Sequence, residues 1–395
     1  MLEKIFSPVT MKRINKFKSM KRGYYSLLII SFFYFLSMFN ALLINDKAIV
    51  VSHNGKLMFP FLDGIPYVNI FYPNSDLGFR PGEKQNYRLL KRRFAGEKVG
   101  ADVKPVSLLT ADLGLEAPAP QPNAVEEPAV KDEGWVLMPL YHFGPNESLL
   151  EELGKDEMGN DRNPPTAPDW THPMGTDDRG RDVFARLSYG FRISISFAII
   201  VITLSYAIGI TIGAILGYFG GKIDILGQRF VEIWASMPFL YTIMIVASIR
   251  EPNFLMLALL LSAFQWMGMT YYVRGEFLRE KSKDYVSAAI SIGATDRTII
   301  FRHILPNALT PVISFAPFAI VGAVSSLVSL DFLGFGLPAP TPSWGELISQ
   351  GLGNLPSYWL VMAPFGALFI TLLLISFIGE AVREAFDPKQ YSRLR

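Results

Sequence analysis

The chain has 395 residues, half of them hydrophobic and only 18% charged, with a formal net charge of +2. Its charges crowd outside several runs of about 20 apolar residues, the length that crosses a bilayer core, which excludes an ordinary water-soluble globule. Cysteine is absent, which excludes disulfides, thiolate metal sites and cysteine nucleophiles; the four histidines (His53, His142, His172, His303) lack metal-ligand spacing.

Residues 1–23 carry seven basic side chains (Lys4, Lys12, Arg13, Lys16, Lys18, Lys21, Arg22) against one acid, Glu3, and the uncharged run Tyr24–Ile44 follows. A signal peptide is the competing reading. That run is too long for the usual apolar core of one, however, and no small-x-small cleavage site closes it. Residues 24–44 are therefore expected to be a first span with its basic N-terminus in the cytoplasm.

Residues 45–190 hold 16 basic and 22 acidic side chains, the opposite bias, and are expected outside the cytoplasm. Phe59-Pro60-Phe61, Ile65–Tyr72 and Trp135–Phe143 have the aromatic and β-branched content of a small folded unit. The stretch 105–128, with Ala-Pro-Ala-Pro-Gln-Pro, reads as a spacer, and a largely disordered insertion is the alternative for the whole segment.

A core over 191–380 contains five further apolar spans: Ile193–Leu216, Phe230–Ile249, Phe254–Val273, Ala308–Leu330 and Tyr358–Ile378. Alternation places the short loop 217–228, the basic loop 274–307 and the tail 381–395 in the cytoplasm, in accord with their Lys and Arg content. Within these spans Gly209, Gly213 and Gly217 recur every fourth residue, a bare face for close helix packing or for sliding. Glu232, six residues before the helix-kinking Pro238, is either functional or paired with Arg229 one turn earlier. Pro311 and Pro317 are expected to bend the fifth span. Ser325, Ser326 and Ser329 can line a polar path or bond between helices. The Gly/Pro-broken segment from Phe332 to Trp344 is a candidate mouth of a pathway.

The basic loop carries an apolar stripe, Tyr285, Ala288, Ala289 and Ile292, at helical spacing. Ser282 or Asp284 can cap this helix, and Gly293 supplies a left-handed turn at its end. Thr295 or Asp296 can cap a second helix that Pro306 limits. An apolar knob on a membrane loop needs something to bury against. No Walker A, Gly-x-Ser-x-Gly or His-Glu-x-x-His is present, so no catalytic, metal-binding or cofactor-binding residues are assigned and the chain is not expected to be an enzyme.

Ala288-Ala289, Gly293 and Leu305-Pro306 resemble the EAA loop of permease subunits in ATP-binding-cassette importers, with Ser287 where the family has Glu. The start Asp284-Tyr285 and the end Arg302-His303-Ile304-Leu305-Pro306-Asn307 are similar to the dipeptide/oligopeptide/nickel permeases. So are Gly175–Asp182 with Arg186, Gly190 and Arg192, then Arg229, Glu232 and Pro238, and Phe332-Leu333-Gly334 with Trp344-Gly345. The far-upstream helix resembles the second, C-type permease of such pairs. Asn45-Asp46-Lys47, Phe59-Pro60, Gly134–Leu137 and Phe332–Pro338 resemble the Yej-type subgroup, importers of microcin C and oligopeptides. The resemblance implies an all-α integral membrane fold: six transmembrane helices of the type I importer permease architecture, with a long extracytoplasmic insertion between helices 1 and 2. It implies a bacterial inner-membrane location with both termini cytoplasmic. The implied partners are cytoplasmic ATPase subunits docked on the coupling loop, a second related permease forming a heterodimer, and an extracytoplasmic substrate-binding protein. These act in the lipid bilayer, with no nucleic acid. Nickel chelates as cargo, or a membrane-anchored sensor, are the alternatives.

Overall fold

The computed structural model describes residues 8–64, 72–79, 85–96, 134–150, 153 and 163–386. The 105–128 spacer, most of Ile65–Tyr72 and the basic residues Lys389, Arg393 and Arg395 lie outside them. The chain divides into two units, residues 38–185 and the remainder.

The larger unit is helical. Among the described residues, four helices are long and apolar enough to cross a membrane: α4 (Val183–Phe219), α7 (Phe254–Lys281), α9 (Asp296–Phe332) and α11 (Trp359–Phe386). A bent pair, α5 (Gly221–Ala235) and α6 (Phe239–Ile249), makes a fifth span if counted as one; its halves differ in direction by 65°. The break falls at Pro238, the residue that caps α6 and has no amide hydrogen to continue α5. The helices overrun the apolar runs that announce them. Charged turns continue a helix as readily as apolar ones, so α7 reaches Lys281 and takes eight residues from the expected 274–307 loop. The expected 217–228 loop shrinks to the elbow Gly220-Gly221, both at positive φ.

The expected first span is α2 (Lys21–Met38), preceded by the basic helix α1 (Pro8–Ser19). At 18 residues, α2 is shorter than those four helices, and Lys21 and Arg22 open it with charge. It still exposes Leu28, Phe32, Phe33 and Phe35, as a helix facing lipid does.

The Gly209/Gly213/Gly217 face of α4 lies against α7. A Cβ on Gly209 would sit 2.7 Å from the Trp266 carbonyl oxygen, one on Gly213 2.7 Å from that of Thr270, and one on Gly217 2.6 Å from Phe277 Cβ. Backbone meets backbone along three turns. The Thr270 hydroxyl donates to the Gly209 carbonyl at 3.3 Å, a bond that only such an approach allows.

The smaller unit adds a small sheet to this mostly helical architecture. Three antiparallel strands, β1 (Val50–His53), β2 (Lys56–Met58) and β3 (Gly134–Leu137), pair in the order β2-β1-β3. Asn54 and Gly55, at φ +50° and +76°, turn the hairpin between β1 and β2. Val51, Met58 and Val136 stand in register on one face and bury against Leu77, Phe79 and the helix α3 (Tyr87–Phe94). Asn86 caps α3, accepting from the Arg88 and Leu89 amides. In the same unit Asp182 caps α4 through the Ala185 amide at 2.8 Å, and its other oxygen contacts Tyr141 Oη and His172 Nδ1, both at 2.7 Å.

Candidate functional site

The loop between α7 and α9 is folded. It holds a helix, α8 (Asp284–Ser291), then a sharp turn. Lys283 is the N-cap and makes no side-chain cap; Ser282 instead bonds the Arg279 carbonyl, so neither expected cap forms. The far end is a Schellman turn: the Ala294 amide donates to Ala289 O at 3.0 Å and the Gly293 amide to Ile290 O at 2.9 Å. Gly293 has φ +83°, the left-handed conformation such a turn needs. Thr295 then caps α9 through the Thr298 amide.

Pro306 does not limit the second helix. The chain widens into a π-helical stretch at Ile299–Ile304 and continues through Leu305 and Pro306 as one helix to Phe332. The Leu305 amide bonds the Ile300 carbonyl five residues back, so the helix is already widened where Pro306, without an amide hydrogen, enters it.

The apolar stripe divides. Val286 and Ala289 are buried against Phe277, Ile299 and Ile304, and Tyr285 packs half-buried beside them. The Tyr285 hydroxyl donates to Glu280 at 2.8 Å and accepts from Asn307 at 3.3 Å. Burial, reinforced by the Glu280 carboxylate, holds that hydroxyl above the ordinary phenol range, so it remains protonated. Of the expected docking stripe, Tyr285 and Ala289 thus serve the chain's own core, because α8 needs an anchored face to stand still. Ala288 and Ile292 point outward with Ile290 and Phe301; Ile292 is 85% exposed, Phe301 62% and Ile290 53%. Phe301 and Ile290 were not anticipated from spacing. Asp284 and Arg302 are exposed at the edges, Leu305 is half-buried and Pro306 exposed.

Polar links tie the helix ends that flank this loop to neighbouring helices. Tyr218 Oη donates to Asp296 at 2.5 Å, and Lys281 bonds the Tyr218 carbonyl. Arg274 holds Asp224 of α5 by two bonds of 2.5 and 2.6 Å.

Toward the opposite end of α9, Ala323, Val324, Leu327, Val328 and Leu330 are buried, whereas Gly322, Ser329 and Phe332 are exposed and Ser325 and Ser326 half-exposed. One face of this span therefore presents hydroxyls and bare backbone that the described residues leave exposed or half-exposed. Glu232 pairs with Arg229 at 2.6 Å, the structural alternative for it. Trp344 is not on an open surface. It opens α10 (Trp344–Gly353), 2% exposed, with its ring filling the space over Gly190 and its indole N–H bonded to Leu187 O at 3.0 Å. A ring that large next to a residue without a side chain becomes a packing anchor. Arg186, fully buried, pairs with Glu346, two residues after Trp344. Asp331 accepts from Ser343 Oγ at 2.6 Å and the Leu337 amide at 2.7 Å, which closes the broken segment into a compact knot.

Residues 209–391 match the family described as binding-protein-dependent transport system inner membrane component. The chain is 38% identical over 392 residues to the peptidoglycan transport system permease protein YejE of Agrobacterium fabrum, covering 98% of this chain and 95% of that one. It is 37% identical over 386 residues to the inner membrane ABC transporter permease protein YejE of Escherichia coli, covering 97% and 98%. Similarity to the oligopeptide transport system permease protein OppC of Haemophilus influenzae is 39% over 219 residues, or 55% of this chain and 70% of that one.

Proposed function

Because the chain belongs to the family of ABC importer permeases that includes the YejE proteins, we propose that it moves peptides or peptide-like compounds across the inner membrane by alternating access, driven by a partner ATPase. The names of its relatives support the cargo class. The observation that carries the mechanism is the exposed knob of Ala288, Ile290, Ile292 and Phe301 on a helix whose other face is locked into the core. Such a knob suits helix-in-groove docking, with the rigid inner face passing the partner's movement to α4, α7 and α9.

The hydroxyl-lined face of α9 lines the pathway in this reading, since polar groups at membrane depth are stable facing water or protein and not lipid. A second, related permease closes that pathway. The acidic segment 45–190 lies outside and receives a soluble binding protein, and both termini lie in the cytoplasm, as the positive-inside balance favours.

The test is Ile292→Asp in the full chain expressed with its neighbouring ATPase. Removal of an interface anchor costs about 2 kcal/mol or more, roughly 30-fold in affinity. Loss of ATPase co-purification and of oligopeptide uptake, with the variant still folded, is expected. Undiminished co-purification contradicts the docking face, and uptake of nickel chelates in place of peptides contradicts the cargo.

A further inference from the structure

Helix α1 is basic and lies along the last turns of α11: Lys16 pairs with Glu384 at 3.1 Å, and the Arg13 guanidinium sits 4.7 Å from the centre of the Phe386 ring. Lys12, Asn15 and Lys18 face outward, while Arg13 turns toward the protein. There it borders an open recess of about 410 Å³ between α1, the end of α7, the start of α8 and the Asn307–Thr310 turn of α9.

Among the described residues the recess is lined by three cations, Arg13, Arg279 and Lys283, and one acid, Glu280. Glu280 is 2% exposed and already committed, to Lys283 at 2.6 Å, Tyr285 at 2.8 Å and Arg279 at 3.5 Å. Glu276, beside the recess, pairs with Arg279 at 2.5 Å. Among the described residues, Arg13 Nε is buried without a hydrogen-bond partner. Positive charge therefore exceeds negative among the lining groups, and a donor is left unsatisfied there, at a cost that a bound acceptor would remove.

Depth identifies the acceptor. The recess lies where the apolar stretches of α7, α9 and α11 end, the level of lipid headgroups. The abundant anion at that level is phosphate. We propose that this recess binds the phosphate of an anionic phospholipid headgroup, with Arg13, Arg279 and Lys283 supplying charge and Thr310 a hydroxyl. A lipid seated there joins α1 to the base of α8. The inference needs the chain to be in a bilayer but not the docking assignment, so the two can fail separately.

The full-length chain, with its co-purifying subunits, is placed in nanodiscs of phosphatidylcholine with or without phosphatidylglycerol, and retained lipid is read by native mass spectrometry. Arg13→Gln should weaken phosphatidylglycerol retention about tenfold, the loss of one charge-assisted bond. Thr310→Val, which leaves α1 and every ion pair intact, should weaken it by about threefold. Lys18→Gln, on the outward face of α1, should leave it unchanged, and added inorganic phosphate should not displace it. Equal retention in Arg13→Gln and Thr310→Val, or an equal loss in Lys18→Gln, overturns the site in favour of general surface attraction. Displacement by inorganic phosphate overturns the lipid as its occupant.

Discussion

Gly293 offers a graded test of the hinge. Its φ of +83° lies in the left-handed region, and a Cβ built there meets no atom within 4 Å. Gly293→Ala therefore brings no clash, only backbone strain of about 1–2 kcal/mol, partly offset by the less flexible unfolded chain. The alternative for the variant is to relax the turn. That breaks the Ala294–Ala289 and Gly293–Ile290 hydrogen bonds and lifts Val286, now fully buried, from its core. Exposing a valine side chain costs about 1.5–3 kcal/mol before either bond is counted, so the strained turn survives. Gly293→Asn should lose a few tenths of a kcal/mol less than Ala, because asparagine tolerates this region, and Gly293→Val more, because a β-branched side chain does not. Thermal unfolding in detergent measures the order Gly, Asn, Ala, Val, and ATPase stimulation by cargo in reconstituted complexes should follow it. If Val matches Gly in both assays, the turn is not the rigid elbow described.

Other perturbations separate packing from function. Gly213→Ala places a methyl 2.7 Å from a carbonyl oxygen and 2.9 Å from Val273 Cβ, neither free to swing away, and should cost about 1–3 kcal/mol by thermal unfolding. Trp344→Ala should cost about 3–5 kcal/mol by the same assay, whereas Ser329→Ala should alter uptake without altering stability. Glu346→Gln leaves the buried Arg186 guanidinium without its carboxylate and should cost about 3 kcal/mol, read from urea unfolding. His142 has its pKa lowered by burial and by Lys91 and Arg88, so the unfolded chain takes up its proton first as the medium is acidified. Stability should fall as pH drops through and below 6.5, and His142→Gln should flatten that part of the profile.

Periodicity and length were enough to locate the long spans, and the four-residue glycine spacing in α4 marked a face that needs a close neighbour. Thr295 as a cap and Gly293 as a left-handed terminus were legible because each is a local demand of the backbone. The helix ends were less so: Asp182 is a capping residue followed by an apolar run, yet its signal was masked by the aromatic and charged turn that precedes Ile193. Asn54-Gly55 is likewise a strong hairpin signal that would have exposed the sheet. The division of the α8 stripe could not be read from spacing. Which apolar residues face inward depends on Phe277 and Ile304, distant in sequence, and an exposed isoleucine looks like a buried one until its neighbours are in place. Trp344 misled for the same reason, since its partner is Gly190.

The absence of cysteine in the native chain makes the central claim directly measurable. Single cysteines replace Ile292 and, separately, Ala289 in the full chain, and each is offered a thiol-to-amine cross-linker in membranes containing the partner ATPase. Ile292→Cys should cross-link to the ATPase and Ala289→Cys, facing the core, should not. Cross-linking from Ala289→Cys alone, or from neither position with both proteins present, would contradict the account of which face of α8 docks.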